Sequence, residues 1–543
     1  MYRQILDPIG GSLALSASVA AIPLVLLLVL LGVFRVRSDV AAACGLLAAF
    51  VIAVFGYRLP VTPALSGAAQ GAAFGLFPIV WIMLNAVWVN RLIDASGLLS
   101  VIRRTFAGLS PDPRVQALVL AFCFGGLLEA LAGFGAPVAV ITALLLALGH
   151  APVRAATVAM FADAGGTAFG SMGNPIVALA KAANLPAAEL GRMVGRQSAI
   201  VAAFLPLIIV LVLDGRRGLR DLWPLALATG LGFAAGQFVT SNYLAYPLSD
   251  LVGALGATAA AVVLLRLWSP AATPALAASG AGRSGAPVER PASPSPVTTR
   301  LRAFTPYLLL IVLLALVSLN DPVSRATARL GVRFSWPGVR VVDVHGGPLS
   351  LAVFRFDWPT ATGTILLLTG LVSTVILRVP ARTALREYGL AAARIRCAAT
   401  TVVLVMALAY LMNYSGQAVT IGTWLAGTGG AFVLLSPLLG WLGVAATGSD
   451  TSANALFGAV QVAAAGRIGI SPILLAATNS QAGVLGKLVS PQNLAMAAAV
   501  AGLAGREGTL FRRTFPWSVA CLIGFAVLVV LMATGPLSWM VVR

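Results

Sequence analysis

Apolar runs at about 12–34, 38–57, 68–90, 193–213, 223–240, 249–268, 303–319, 360–378, 397–412 and 514–536 leave this chain few ways to fold. Most reach the roughly 20 residues a helix needs to cross the hydrocarbon core of a bilayer. Only 10% of the residues are charged, the hydrophobic share is 59% and the mean hydropathy is +0.95. Soluble domains carry about 25% charged residues, so the chain reads as an all-α polytopic membrane protein with the lipid bilayer as its surround. The first run is too long, and lacks the basic flank, for a cleaved signal peptide; it reads as the first span.

Two regions, 115–183 and 428–504, break this pattern. The first contains AFCFGGLLEALAGFGAPVAV from Ala121 and ADAGGTAFGSMGNPIVAL from Ala162; the second contains GVAATGSDTSANALFG from Gly443 and ATNSQAGVLGKLVSPQNLAMA from Ala477. Each places glycine, proline, polar side chains and ionisable groups inside otherwise membrane-spanning sequence. Unwound backbone at that depth survives only where protein encloses it or a cavity needs it. The spacing repeats as well, with 42 residues from Gly133 to Pro175 and 43 from Gly448 to Pro491. Close packing of small residues explains the glycines, but not Glu129, Asp450 and Lys487 beside them. Matching interruptions in two halves of a hydrophobic chain point to the site of a secondary transporter.

The formal net charge of +19 invites a nucleic-acid partner. The arginines, however, cluster in alternate short loops, around Arg35, Arg91, Arg114, Arg217, Arg266, Arg386 and Arg512. That is the bias of cytoplasmic loops, and nucleic acid is set aside. The amino terminus is then expected outside. The region 115–183 is entered from the cytoplasm and 428–504 from outside, so residues 1–213 and 303–543 read as inverted repeats with re-entrant breaks. Between them lie two extra spans (214–268) and a Pro/Ala/Ser/Gly linker (269–302) too poor in large apolar residues to fold. Some 12–14 membrane segments are expected in all. The loop 320–359 carries arginines yet falls outside; its alternation around Gly346 and Gly347 predicts a small strand-bearing lobe.

Cys44, Cys123, Cys397 and Cys521 lie at no regular spacing and read as small hydrophobes. His150 and His345 are far apart, so neither a metal centre nor a cofactor is indicated. No phosphate-cradling loop supports ATP-driven transport.

The candidates for chemistry fall in the breaks. Gly133, Phe134 and Gly135 in one region, and Gly448, Ser449, Thr451 and Asn454 in the other, sit where half-helix ends would turn N–H groups toward an anion. Asn174, Ser415, Ser490 and Gln492 add neutral polar groups. Lys487 is one of only two lysines among 36 basic residues. A compact ammonium is therefore expected there, either as a point charge for an anion or as a partner for Asp450. The other, Lys181, reads as interfacial. Glu129, Asp163 and Asp450 are the proton-coupling candidates, since an acid inside a membrane is functional by default.

At these residues the chain resembles the lactate permease family, bacterial carriers of L-lactate, D-lactate and glycolate that move with protons. The likeness rests on FCFGGLLEALAGFGAPVAV from Phe122, AFGSMGNPI from Ala168, MVGRQ from Met193, DGRRGLRDLWP from Asp214, FRFDWPTATGT from Phe354, NYSG from Asn413, LLGWLGVAATGSDTSANALFG from Leu438 and GKLVSPQNLA from Gly486. One departure lies at Ala162–Thr167, where ADAGGT replaces an Asn-Thr-Ala-Pro type of sequence. The resemblance implies an inner-membrane symporter for a 2-hydroxy monocarboxylate, with the proton as coupling ion. The alternatives are a carrier of another organic anion, such as a dicarboxylate, or one coupled to sodium, and a membrane-embedded enzyme. The second lacks a histidine near the breaks.

Overall fold

The computed structural model describes residues 2–34, 36–131, 136–268, 296–319, 329–344, 346–347, 349 and 352–542. In hydrocarbon each backbone N–H and C=O must find its partner within the chain, and the apolar runs accordingly become helices. In the first half these are α1 (Leu13–Gly32), α2 (Ser38–Val51), α3 (Val61–Phe74), α4 (Trp81–Ala95), α5 (Leu99–Ala107) and α6 (Pro113–Leu131). They continue with α7 (Ala136–Ala147), α8 (Pro152–Ala164), α9 (Gly170–Ala183), α10 (Ala187–Tyr243) and α11 (Ser249–Leu267). The second half holds α12 (Val297–Leu319), α13 (Thr362–Ile376), α14 (Ala381–Ser415), α15 (Gln417–Leu425) and α16 (Ala431–Thr447). It ends with α17 (Asp450–Ile468), α18 (Pro472–Lys487), α19 (Pro491–Val500) and α20 (Glu507–Thr534). Among the described residues nine helical stretches are long and apolar enough to cross a membrane.

Every continuous span read from the sequence lies on helix, with instructive differences at the edges. The run 68–90 straddles α3 and α4, because Phe77 is extended (φ −132°, ψ 121°) ahead of Pro78. Proline disfavours helical geometry in the residue before it. The runs 193–213 and 223–240 are the two arms of α10, parted at Asp214 and Gly215, where Gly215 takes φ +66°. Helix α14 starts well before residue 397, because the exposed Arg382, Arg386, Arg394 and Arg396 favour helix while hydropathy discounts them. Helix α12 begins inside the expected linker 269–302, of which 269–295 lie outside the described residues.

The loop 320–359 does form strands, but not a hairpin about Gly346 and Gly347. Strand β2 (Val332–Ser335) pairs antiparallel with β4 (Val353–Phe356), while β3 (Val341–Val342) pairs parallel with β1 (Tyr2–Arg3). Aromatic packing explains the choice: Phe354 stacks between Phe74 (4.4 Å) and Phe334 (5.4 Å). The amino-terminal segment and this loop therefore share one face of the molecule.

The two interrupted regions have the same order of parts. One helix (α6 or α16) leads in, a two-helix hairpin follows (α7–α8 or α17–α18), and after the hairpin comes a further helix (α9 or α19). Helix α9 packs against α17, and α19 packs against α7 and α8, so the last piece of each region rests on the hairpin of the other. The starts are set by capping. Ser449, Ser471 and Ser490 accept from the N–H of Ser452 (3.3 Å), Leu474 (3.4 Å) and Asn493 (3.4 Å), with Pro472 and Pro491 at the first helical position. A scaffold of α2, α3, α4, α13 and α14 stands alongside. Gly67 and Gly71 on α3, and Gly75 just beyond it, line the face that meets α14, where a methyl on Gly75 would lie 2.8 Å from the Val403 Cα. At the start of α6, the buried Arg114 guanidinium binds Asp112 (2.9 Å), Asp214 (3.0 Å) and Asp221 (3.0 Å), fixing the elbow of α10 to the first broken region.

Candidate functional site

The break after α8 carries the longest left-handed run among the described residues. Ser171, Met172 and Gly173 take left-handed φ values of 47°, 60° and 76° before Asn174 and Pro175 start the regular turns of α9. Left-handed geometry costs a non-glycine residue about 1–2 kcal/mol, and such strain is kept where surrounding structure and function require it. Facing it, Gly448 ends α16 at φ +70° and Ser449 caps α17.

Lys487, at the end of α18, reaches across to the first region. Its Nζ lies 2.8 Å from Asp163 Oδ2 and 3.2 Å from Glu129 Oε1, and it donates to Thr167 Oγ1 at 3.1 Å. All three ionisable groups are buried. Asn493 Nδ2 donates to the same Asp163 oxygen at 3.4 Å. The sequence left open a Lys487–Asp450 pair, and the structure makes a different one. Asp450 Oδ2 instead accepts from Ser480 Oγ (2.8 Å) and Asn454 Nδ2 (3.3 Å), and Asn454 Nδ2 also donates to the Pro175 carbonyl at 3.1 Å. Glu129 Oε2, Asp163 Oδ1, Asp450 Oδ1, Asn174 Oδ1 and Ser171 Oγ are buried with no hydrogen-bond partner among the described residues. Buried polar atoms are nearly always satisfied, so this concentration of free oxygens marks a site rather than a core.

Between these groups is a cavity of about 30 Å³, lined from the first region by Glu129, Thr167, Ser171 and Asn174 and from the second by Gly448, Ser449, Asp450, Thr451 and Lys487. It has room for about one water. Two larger hollows are present, and one of them shares Gly448 and Ser449 with this cavity. One of about 280 Å³ is lined by Arg91, Arg394 and Cys397 and reaches Gly448, Ser449 and Gln492. The other, about 500 Å³, lies beside Ile82, Lys181, Asp357 and Tyr410. Ile82 and Arg91 stand toward opposite ends of α4, and Tyr410 and Arg394 toward opposite ends of α14, so the hollows open at opposite ends of the scaffold.

The sequence profile of the L-lactate permease family matches residues 16–534. The chain is 36% identical to the glycolate permease GlcA of Escherichia coli, over 97% of each protein. It is 36% identical to the L-lactate permease of Bacillus subtilis, over 99% of this chain and 100% of that one. The chain belongs to the L-lactate permease family. As a permease it is a multi-pass membrane transporter and not an enzyme. Among solved structures, MtrF of Neisseria gonorrhoeae, from a class of antimetabolite efflux pumps, superposes with a TM-score of 0.50 at 13% identity, covering 93% of this chain and 97% of its own. That likeness is one of fold.

Within the permease, the remaining candidates separate clearly. Ser490 is buried as the cap of α19 and donates to the Lys487 carbonyl at 3.1 Å, so it shapes the break without lining the central cavity. Ser415 is not brought to the cavity at all; its hydroxyl donates to the Met412 carbonyl at 3.2 Å and closes the end of α14. Gly133, Phe134 and Gly135 lie outside the described residues. Lys181 stands 4.7 Å from the centre of the Phe74 ring and lines the larger hollow. Two features escaped the sequence reading. Asn479, Ser480 and Gln481 form a buried polar run on α18, visible in ATNSQAG as amides and a hydroxyl inside an apolar helix. Asp250, fully buried near the start of α11, looked like an acid at a span boundary.

Proposed function

We propose that the protein imports lactate, glycolate or a related 2-hydroxy monocarboxylate by symport with protons across the inner membrane, its amino terminus outside. One observation carries the reading: Lys487 and Asp450 line the same small cavity, one held by carboxylates and the other keeping Oδ1 unpartnered. Once the two breaks part enough to admit it, a 2-hydroxy acid offers the complement, a carboxylate for the ammonium and a hydroxyl that donates to Asp450 Oδ1. The helix N-terminus at Ser449 favours negative charge on the same side.

Proton coupling follows from electrostatics. Lys487 already faces Glu129 and Asp163, and an incoming anion adds a third negative group around one ammonium. Protonating Glu129 or Asp163 releases Lys487 to the substrate. It also neutralises the anion's charge, and moving one net charge across the membrane involves about 2.3 kcal/mol per 100 mV. The 280 Å³ and 500 Å³ hollows would then open alternately as the hairpins move against the scaffold, the two regions acting as oppositely directed repeats.

Uptake of labelled lactate, glycolate and succinate by cells expressing only this carrier, with pH and sodium varied, tests the proposal. Lactate and glycolate uptake should rise with external acidity, ignore sodium and exceed that of succinate. Uptake that requires sodium and survives collapse of the pH gradient would overturn it.

A further inference from the structure

Asp250 belongs to the pair of spans that stand outside the two interrupted regions, yet it reaches into the site between them. Gln237 on α10 donates to its Oδ1 at 2.8 Å, and the same amide donates to the Gly165 carbonyl at 3.3 Å. Asp250 is thereby tied to the break that follows α8. Its Oδ2 is buried and has no partner among the described residues. That oxygen points at Gly166: a Cβ built there would lie 3.1 Å from Asp250 Oδ2 and 3.3 Å from Glu129 Cγ. Asp250 and Glu129 thus lie against the same glycine, close enough that a methyl there would have to push them by a few tenths of an ångström. The charged groups that face Asp250 are Glu129 on α6, Asp163 on α8 and Lys487 on α18, while α10 contributes only neutral Gln237.

Glu129 and Asp163 therefore share one ammonium, Asp250 meets Glu129 at Gly166, and each of the three buried carboxyls keeps one oxygen without a partner among the described residues. A carboxylate kept only to complement the dipole of α11 would have no reason to leave an oxygen aimed at the break. Like-charged carboxyls gathered around a single counter-charge titrate as a coupled set, in which a proton is shared among the members. We propose that Asp250 is a proton-holding carboxyl of the transport centre that works with Glu129 across Gly166. In the transport cycle a proton taken up by the Glu129–Asp163 pair, when Lys487 turns to the substrate, is held jointly with Asp250 and released on the other side with no covalent step. The inference rests on the proton-symport reading and assigns it a residue from outside the interrupted regions.

The test is the number of protons moved per lactate by the full-length protein in proteoliposomes, read from a pH-sensitive dye and labelled lactate together, for the unaltered carrier, Asp250→Asn and Asp250→Glu. Asp250→Asn should move fewer protons per lactate, whatever its rate. Its steady-state accumulation should fall by roughly tenfold per unit of pH gradient for each coupled proton lost. Asp250→Glu, which keeps a titratable group, should restore the ratio. An unchanged ratio in Asp250→Asn overturns the proposal. So does loss of all lactate movement in both variants, which would give the residue a structural role. If the unaltered carrier moves lactate without protons, the symport reading itself fails, and that result is distinct from either of these.

Discussion

The ammonium of Lys487 stands 2.8 Å from the carboxylate of Asp163, so a single ion pair joins the break after α18 to the end of α8. Both groups are buried, and Glu129, 358 residues before Lys487 in the chain, completes the contact at 3.2 Å. An ion pair in this position joins the two interrupted regions and, on the proposed reading, holds the cation that the substrate anion would take.

Removing the cation should therefore cost stability as well as transport. Lys487→Ala leaves Glu129 and Asp163 buried without their counter-charge, and breaking such a pair costs about 3–5 kcal/mol. The melting temperature in detergent should drop, and labelled lactate should no longer bind. Adding Asp163→Asn should recover part of the melting temperature but none of the binding.

Glu129→Gln keeps the shape of the side chain and removes its proton. Exchange of labelled for unlabelled lactate at matched pH should persist, while accumulation driven by an acid exterior is lost. Counterflow and gradient-driven uptake in the same proteoliposomes separate the two, and normal accumulation would remove Glu129 from the coupling scheme.

Gly166→Ala places a methyl 3.1 Å from Asp250 Oδ2 and 3.3 Å from Glu129 Cγ, and transport should fall sharply. Gly389→Ala, on the exposed side of α14 with nothing within 4 Å, is the matched control. It should transport normally and gain about 0.5–1 kcal/mol in thermal stability.

Asn454 donates to the Pro175 carbonyl, to Asp450 and to Ser480, and accepts from Asn479 at 2.9 Å, binding α17 to both α9 and α18. Asn454→Ala strands these buried partners, at a cost of about 1–3 kcal/mol. Because Asp450 Oδ2 loses a donor, KM for lactate should rise more than Vmax falls.

Cys397 is exposed in the hollow that leads to Gly448 and Ser449. With the other cysteines replaced by alanine, an impermeant maleimide should label it in inside-out vesicles and not in right-side-out ones. Lactate should slow the labelling. The opposite sidedness would reverse the proposed orientation.

Much of this was legible in the chain because membrane helices announce themselves by length, and because glycine, proline and charge in apolar sequence are costly enough to mean something. Lys487, Glu129, Asp163 and Asp450 were found that way. What the sequence could not decide was pairing. Lys487 and Asp450 are neighbours in one region, and only the packing of α18 against the break after α8 shows that the lysine turns to Glu129 and Asp163 instead. Asp250 was passed over because an acid in the first turn of a span is ordinarily a helix-end residue near water; its burial depends on α10 folding back at Gly215. The alternation in the loop 320–359 points to strands but not to their partners, since alternation specifies a strand and not its neighbour.

The narrow centre between two wide mouths bears on what the protein must refuse as well as what it admits. Any carrier driven by protons is also a potential short circuit for them. A centre with room for about one water leaves no space for the chain of waters that a proton wire would need. On the symport reading, tightness against leak and grip on the cargo would then fall to the same lysine.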